Sequence, residues 1–558
     1  MRSLFFAAFC WCFMAATPVF AVRILPFPID TASFYTRHSY DVLNYRLDVD
    51  LVSCYSKPFP SGFSANVVIT LKADSVLKTI RLNAVNSSIV IDSVRMAGSS
   101  FRHLHDTLAI RLSRTYKPGE QLKVRIYYRH RNVDDKGFYS SSGTVFTDSP
   151  PEGARKWMPC WDLPSDKATW ELFARVPLDV RLGSNGLLTD SVISGNTVRY
   201  HWVSKIPVAT YLITFTSKVN FLIHRSYWHK PLKNFDSIPV VCYYDPGEDF
   251  RIADTTIASS TNFFSMLFGD YPFEKIGFAT LKSTFAWGGM EDQSMVNLMP
   301  GGYNDANLLV HEHSHQWFGD LITCGTWADI WLNEGFATFS QILWVERTKG
   351  KRAYVSGMTA LAGYYLRYNP GWPLWHARWA IRAPDANTLY NQSITYNKGA
   401  CVLYQLRRIL GDSMFFKVLQ AYATDTSLMF GNALTRDFVD KVNEVTRTDM
   451  NWFFNEWVYA PNHPVYANTY DIDSLSSREW RMKFTVNQVQ TNTVFFRMPL
   501  AIEVDFADGS NTLLGVMNDT NHQDFSFSFD KPPVKITCDP ARNILLKEAT
   551  TIPGRTTR

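Results

Sequence analysis

The segment His311-Glu312-His313-Ser314-His315 places two imidazoles four residues apart, with a carboxylate beside the first. On a helix, positions i and i+4 differ by about 40° of rotation and about 6 Å of rise, so His311 and His315 aim at one point. Two nitrogen donors of this kind suit a zinc ion, and a catalytic zinc also needs a third protein ligand and an open position for water. The segment Asn333-Glu334-Gly335-Phe336-Ala337 supplies Glu334, 19 residues after His315, on the next helical stretch. Glu312 lies about 100° round the helix from His311, beside the direction of the metal, which suits a base acting on metal-bound water. His313 falls on another face and is given no metal role. Asp329 is expected to orient a ligand histidine through its second ring nitrogen, as metal sites commonly require.

Elements that hold such donors are legible on either side. From about Asp41 to Phe215 the apolar residues have period two, as in Tyr45-Arg46-Leu47-Asp48-Val49-Asp50-Leu51 and Leu122-Lys123-Val124-Arg125-Ile126, the pattern of half-buried strands. From about Lys218 to Pro461 the texture turns helical. Ala253 to Phe268 reads as a helix stopped by Gly269, with Pro272 just beyond, and Leu308 to Phe318, Trp331 to Thr348 and Ser413 to Tyr422 read the same way. After Asn462-His463-Pro464 alternation returns, with Asp508-Gly509 as a hairpin turn. The predicted fold class is multidomain α+β. Its parts are an N-terminal all-β domain at 22–217, a mainly helical catalytic domain at 218–461 and a small C-terminal β-sandwich at 462–558.

Composition agrees with a folded, multidomain chain. The sequence has 558 residues, 46% hydrophobic and 19% charged, with 17 Trp, 26 Tyr and 39 Phe, which excludes a disordered or collagen-like protein. A formal net charge of +5 over a chain of this length argues against a nucleic-acid partner. At the N-terminus Arg2 precedes an apolar run from Leu4 to Met14, and Pro18-Val19-Phe20-Ala21 offers a small-residue cut site. This reads as a signal peptide over residues 1–21, and Pro18 argues against a membrane anchor. An exported protein, periplasmic or extracellular, without a stable membrane span is the expectation. Beyond the leader the cysteines are widely scattered with no metal-like spacing, so small buried residues and at most one or two disulfides are expected.

The motifs together carry a resemblance. His311-Glu312-x-x-His315-Gln316-Trp317-Phe318-Gly319 followed by Trp331-Leu332-Asn333-Glu334-Gly335-Phe336-Ala337 resembles the gluzincin zinc aminopeptidases, the family of aminopeptidase N and leukotriene hydrolase. Gly288-Gly289-Met290-Glu291-Asp292, Tyr396-Asn397-Lys398-Gly399-Ala400 and Ala154-Arg155-Lys156-Trp157-Met158-Pro159-Cys160-Trp161-Asp162 fit it in the same order. The resemblance runs from about Tyr40 to Lys547. It implies a thermolysin-like catalytic domain with one Zn²⁺ per chain held by His311, His315 and Glu334, and Glu312 as general base. It also implies a substrate edge along Gly288, Gly289 and Met290, Glu291 as the group that grips the substrate's α-ammonium, and Tyr396 as oxyanion donor. The implied substrates are peptides with a free N-terminus. Oligomeric state is not legible.

Two positions depart from the family pattern. Asp292 stands where the family has Asn, so local hydrogen bonding is expected to differ. Asp148, in Thr147-Asp148-Ser149-Pro150-Pro151, stands where a Gln is common; reaching the site, it would tighten amine binding or favour basic first residues. The larger relatives' helical C-terminal domain is not expected in residues 462–558, and a more open site is. A zinc metalloendopeptidase and a non-catalytic exported peptide-binding protein of the same fold remain as alternatives.

Overall fold

The computed structural model describes residues 39–230, 236–285 and 287–554. The signal peptide expected at residues 1–21, with Cys10 and Cys12, lies outside the described residues. Strict alternation in the N-terminal region builds sheets with one buried face. Along Gln121–His130 every second side chain is buried, and Ser64–Ala73 repeats the pattern. Both belong to a seven-stranded sheet ordered Leu187–Ser194, Thr197–Ala209, Lys167–Pro177, Tyr40–Asp50, Ser64–Ala73, Gln121–His130, Ile89–Arg95. Its pairings are antiparallel except the central one, between Tyr40–Asp50 and Lys167–Pro177. A four-stranded sheet and a three-stranded sheet complete this region. The strand Phe215–Val219 crosses the sequence-derived boundary at 217/218 and stays paired with Val180–Ser184 and Thr144–Thr147.

The catalytic region opens with a five-stranded sheet ordered Leu222–His229, Ser237–Tyr244, Ile276–Thr280, Val296–Leu298, Gly289–Met290. Helices follow, chiefly Arg251–Phe268, Ala306–Ser314, Trp331–Lys349, Lys351–Tyr368 and Gly399–Leu410. Glycines with positive φ end the first and third of these, Gly269 at 111° and Gly350 at 85°, since only glycine reaches such backbone angles without strain. Trp331–Lys349 is buried on every face from Trp331 to Ser340, so its first half threads the middle of the domain and its last turn reaches the surface.

One reading needs correction. The helix read as Leu308 to Phe318 ends at Ser314, with His315 as its cap residue. Beyond it the chain tightens into i to i−3 bonds, Gln316 N–H to His313 O and Trp317 N–H to Ser314 O, and turns away at Gly319. The aromatic pair after the histidine drives this: Trp317 and Phe318 are buried against Phe268, with Phe318 also stacking on Tyr422. His315 keeps helical backbone angles, φ −58° and ψ −24°, so the two histidines still converge.

The C-terminal region holds a four-stranded and a three-stranded sheet, and one continuous apolar core runs through all three regions. The described cysteines are all free thiols. No helix among the described residues is long and apolar enough to cross a membrane.

Candidate metal centre and active-site cleft

The histidine helix starts from a side-chain cap. Asp305 accepts from the N–H groups of Asn307 at 2.9 Å and Leu308 at 3.1 Å, satisfying donors that the helix itself leaves open. Asp305→Ala is expected to destabilise the protein by about 1 kcal/mol in urea titration; an unchanged midpoint would show the cap to be dispensable.

Within this frame His311 Nε2 and His315 Nε2 stand 3.3 Å apart. Glu334 Oε2, from the start of the next helix, lies 3.5 Å from His311 Nε2 and 3.3 Å from His315 Nε2. Ligands about 2.0–2.2 Å from a tetrahedral zinc stand roughly 3.3–3.6 Å from one another. The three donor atoms therefore have the mutual spacing of a zinc ligand set, and the mixture of two imidazoles and one carboxylate fits that ion. The Nδ1 atom of His315 bonds the carbonyl oxygen of Phe318 at 3.1 Å. Asp329 does not orient a ligand: its carboxylate accepts from Thr326, Trp375 and Thr435 instead. His313 is buried against Thr261 Oγ1 at 2.8 Å, and burial pushes its imidazole down to about 3, which leaves it neutral.

Around the donors lies a group of buried acids. Ligand atoms of Glu291, Glu312 and His315 all fall within 4.8 Å of one another. Burial pushes the Glu312 carboxyl well above its ordinary range; His315 opposes this, and Glu291 and Glu334 add to it. Glu291 is raised by the same burial, with His315 opposing and Glu334 reinforcing. Burial also acts upward on Glu334, but His315 and His311 outweigh it and hold that carboxyl below its usual range. A carboxylate that stays ionised is what a metal ligand requires, whereas burial favours the protonated form of the other two.

Glycines at two close approaches shape the site. Gly289–Met290 is an edge strand paired antiparallel with Val296–Leu298, and a Cβ on Gly289 would come within 2.4 Å of the Glu312 carboxyl. Gly335 and Gly399 meet backbone to backbone: a Cβ on either would stand 2.9 Å from the Cα of the other. That contact presses the segment Gln392–Lys398, a π-helical turn, against the helix of Glu334. Tyr396 in this turn stacks on His311, with ring centroids 6.0 Å apart. Burial holds its phenol well above the ordinary value, so it remains a donor.

The whole opens into a cleft of about 610 Å³. Besides the residues read from sequence, Trp287, Pro150, Leu308, Gln341, Tyr390 and Gln392 line it. Trp287 packs edge-on to Tyr390 at 5.7 Å and donates through Nε1 to Asp148 Oδ2 at 3.1 Å. Asp148 thus sits behind the tryptophan and does not itself line the cleft. Its Oδ1 is buried without a hydrogen-bond partner, and burial raises its carboxyl to about 7, with Trp287 and Lys156 opposing and Glu291 reinforcing. Asp292 accepts from Asn297 Nδ2 at 2.7 Å, so the neighbouring asparagine supplies an amide donor beside the substituted position.

An HExxH helix with a distal glutamate on the next helix, following a β-rich N-terminal region, defines a gluzincin-type metallopeptidase architecture. A peptidase M1 N-terminal domain matches residues 39–212 and a peptidase family M1 domain matches residues 252–457. The chain belongs to peptidase family M1. A probable aminopeptidase 1 of Sulfurisphaera tokodaii is 24% identical over 466 residues, covering 78% of this chain and 56% of the relative. Aminopeptidase M1 of Arabidopsis thaliana is 25% identical over 470 residues, covering 76% and 50%. The chain spans about half the length of these two curated relatives. Among solved structures, an M1 zinc metallopeptidase from Deinococcus radiodurans superposes with a TM-score of 0.66 at 24% identity, covering 76% of this chain and 94% of that one. A two-domain M1 zinc metallopeptidase mutant bound to L-arginine superposes with a TM-score of 0.65 at 25% identity, covering 76% and 95%.

Proposed function

We propose that the chain is a zinc-dependent aminopeptidase that removes single residues from the N-termini of peptides. The observation that carries this reading is the position of Glu291. Its carboxylate is buried within 4.8 Å of the His315 ligand atom, and no lysine or arginine among the described residues forms an ion pair with it. A buried acid without a protein cation suits a substrate ammonium, which makes a strong charge-assisted hydrogen bond with it. In a peptide the amino nitrogen and its own carbonyl carbon are about 2.5 Å apart. An ammonium held at Glu291 therefore leaves room for one residue before the scissile carbonyl, which makes the enzyme an exopeptidase.

Zinc, when bound by His311, His315 and Glu334, acidifies water and polarises a carbonyl. Glu312 holds the proton released by the attacking water on a carboxylate oxygen and returns it to the leaving amine. The Tyr396 hydroxyl donates to the oxygen on which negative charge develops. The free edge of Gly289–Met290 takes the substrate backbone in extended form, as an open sheet edge can. Purified protein supplied with zinc is expected to release the fluorophore from unblocked aminoacyl-coumarins and to stop when a chelator is added. Absence of release across a broad aminoacyl panel would overturn the proposal.

Asp148 belongs to the same reading as a group that favours a basic first residue, its field reaching the cleft past Trp287. Asp148→Gln is expected to lower the ratio of kcat/KM for arginyl over leucyl substrates about tenfold, the effect of losing a through-space charge interaction of about 1.4 kcal/mol. An unchanged ratio would remove Asp148 from specificity. Export is part of the proposal on the strength of the apolar leader at 1–21, with secreted material expected to begin at Val22.

A further inference from the structure

We infer that Gln316 is a positioning residue that fixes the separation between the amine-binding carboxylate of Glu291 and the metal donors; the inference rests on the aminopeptidase reading above. Gln316 is buried, and its carboxamide has no bonding capacity to spare. Nε2 donates to the Glu291 carbonyl oxygen at 3.1 Å and to Asp320 Oδ2 at 2.6 Å. Oε1 accepts from the Ser294 backbone N–H at 2.9 Å and from the Tyr271 hydroxyl at 3.3 Å. A primary amide offers two donors and two lone pairs; both donors and one lone pair have partners of their own, and the second lone pair shares the Tyr271 hydrogen with the Lys275 carbonyl, which takes it at 2.9 Å.

The main chain of Gln316 is fixed as firmly as its side chain. It follows the ligand His315 directly, in a turn closed by Asp320 N–H to His315 O at 2.9 Å and Leu321 N–H to Gln316 O at 3.2 Å. From the N-terminal region the half-buried Lys167 reaches across and donates to the carbonyls of Asp320 at 2.6 Å and Leu321 at 3.3 Å. Glu291, by contrast, follows an edge strand only two residues long, which is a weak anchor. Asn185 and Gly186 hold the next residues, through the Gln293 carbonyl and the Ser294 hydroxyl. The hydrogen bond to the carbonyl of Glu291 itself comes from Gln316. One side chain thus joins the metal-ligand turn to the amine clamp, and it sets how far the substrate's first carbonyl stands from the donors. Misplacement of about 1 Å at such a site is enough to cost a large factor in rate or binding.

The test is a double-mutant cycle between Gln316→Met, which keeps length without donors, and Glu291→Ala. With Glu291 present, Gln316→Met is expected to raise KM for aminoacyl-coumarins about tenfold, to change kcat less than about threefold and to leave zinc content at one per chain. With Glu291→Ala, the same substitution is expected to shift KM less than about twofold. Equal KM shifts in both backgrounds, or no shift in either, would overturn the inference, because a general packing role is additive with removal of the clamp. Should the methionine variant not fold, Gln316→Glu retains the acceptor for Ser294 and enters the same cycle. If the unmodified protein releases nothing from any aminoacyl substrate, the aminopeptidase reading falls and this inference with it; an active protein with additive effects overturns the inference alone.

Discussion

Glu312→Gln is expected to lower kcat by about a thousandfold while zinc stays bound, within the roughly 10²–10⁴ that a positioned proton-transfer group contributes. The amide has nearly the shape of the carboxylate and fits the same space beneath Gly289, where a Cβ would come within 2.4 Å of the Glu312 carboxyl. It lacks a site for a proton. The carboxyl it replaces is pushed up by burial, against the opposing pull of His315 and with the help of Glu291 and Glu334, which suits it to accept a proton from water and release it to an amine. Because Glu312 does not belong to the spaced set of His311, His315 and Glu334, its loss is expected to leave zinc stoichiometry at one per chain. Steady-state kinetics together with metal quantification on one preparation checks both halves. Activity within tenfold of the unmodified protein would remove Glu312 from the chemistry, and loss of zinc would make it a ligand.

Glu334→Ala is expected to have the opposite signature, loss of the metal from a folded protein. Glu334 Oε2 completes a triangle with sides of 3.3 to 3.5 Å, and two histidines alone leave zinc short of the three protein ligands of a catalytic site. Replacing a mere outer-shell partner costs roughly 10–100-fold in affinity, so removing a ligand is expected to cost more than about a hundredfold. Alanine is a good helix former, and the substitution also takes one carboxylate out of the crowd with Glu291 and Glu312. The helix Trp331–Lys349 is therefore expected to remain. Competition with a chromogenic zinc chelator measures the affinity and circular dichroism the fold; zinc affinity within tenfold of the unmodified protein would contradict the assignment.

Local rules made the strands and most helix ends legible. Alternation along Gln121–His130 and the stop at Gly269 follow from side-chain period and from glycine's backbone freedom, which act within a few residues. The convergence of His311 and His315 was legible for the same reason, since they are related by one helical turn. The end of their helix was not, because it depends on Trp317 and Phe318 packing against Phe268 far away in the chain. Asp329 was misread because the partner that orients His315 is a backbone carbonyl, that of Phe318, and a carbonyl leaves no mark in a sequence. Trp287 and Tyr390 carry no signal in the sequence because they meet in the cleft only through tertiary packing. Gly335 and Gly399 stood inside quoted motifs, yet the reason for them is a crossing of two segments. Gln316 carries the same lesson: it was visible beside His315, but the Glu291 backbone it holds is brought to it only by the folded sheet edge.

The most direct measurement uses one oligopeptide in two forms, with a free and with an acetylated N-terminus, each incubated with the zinc-loaded protein and followed by mass spectrometry. The free peptide is expected to lose residues singly from its N-terminus while the acetylated twin stays intact. Internal fragments from the acetylated form at a comparable rate would contradict a site anchored on the substrate's amine.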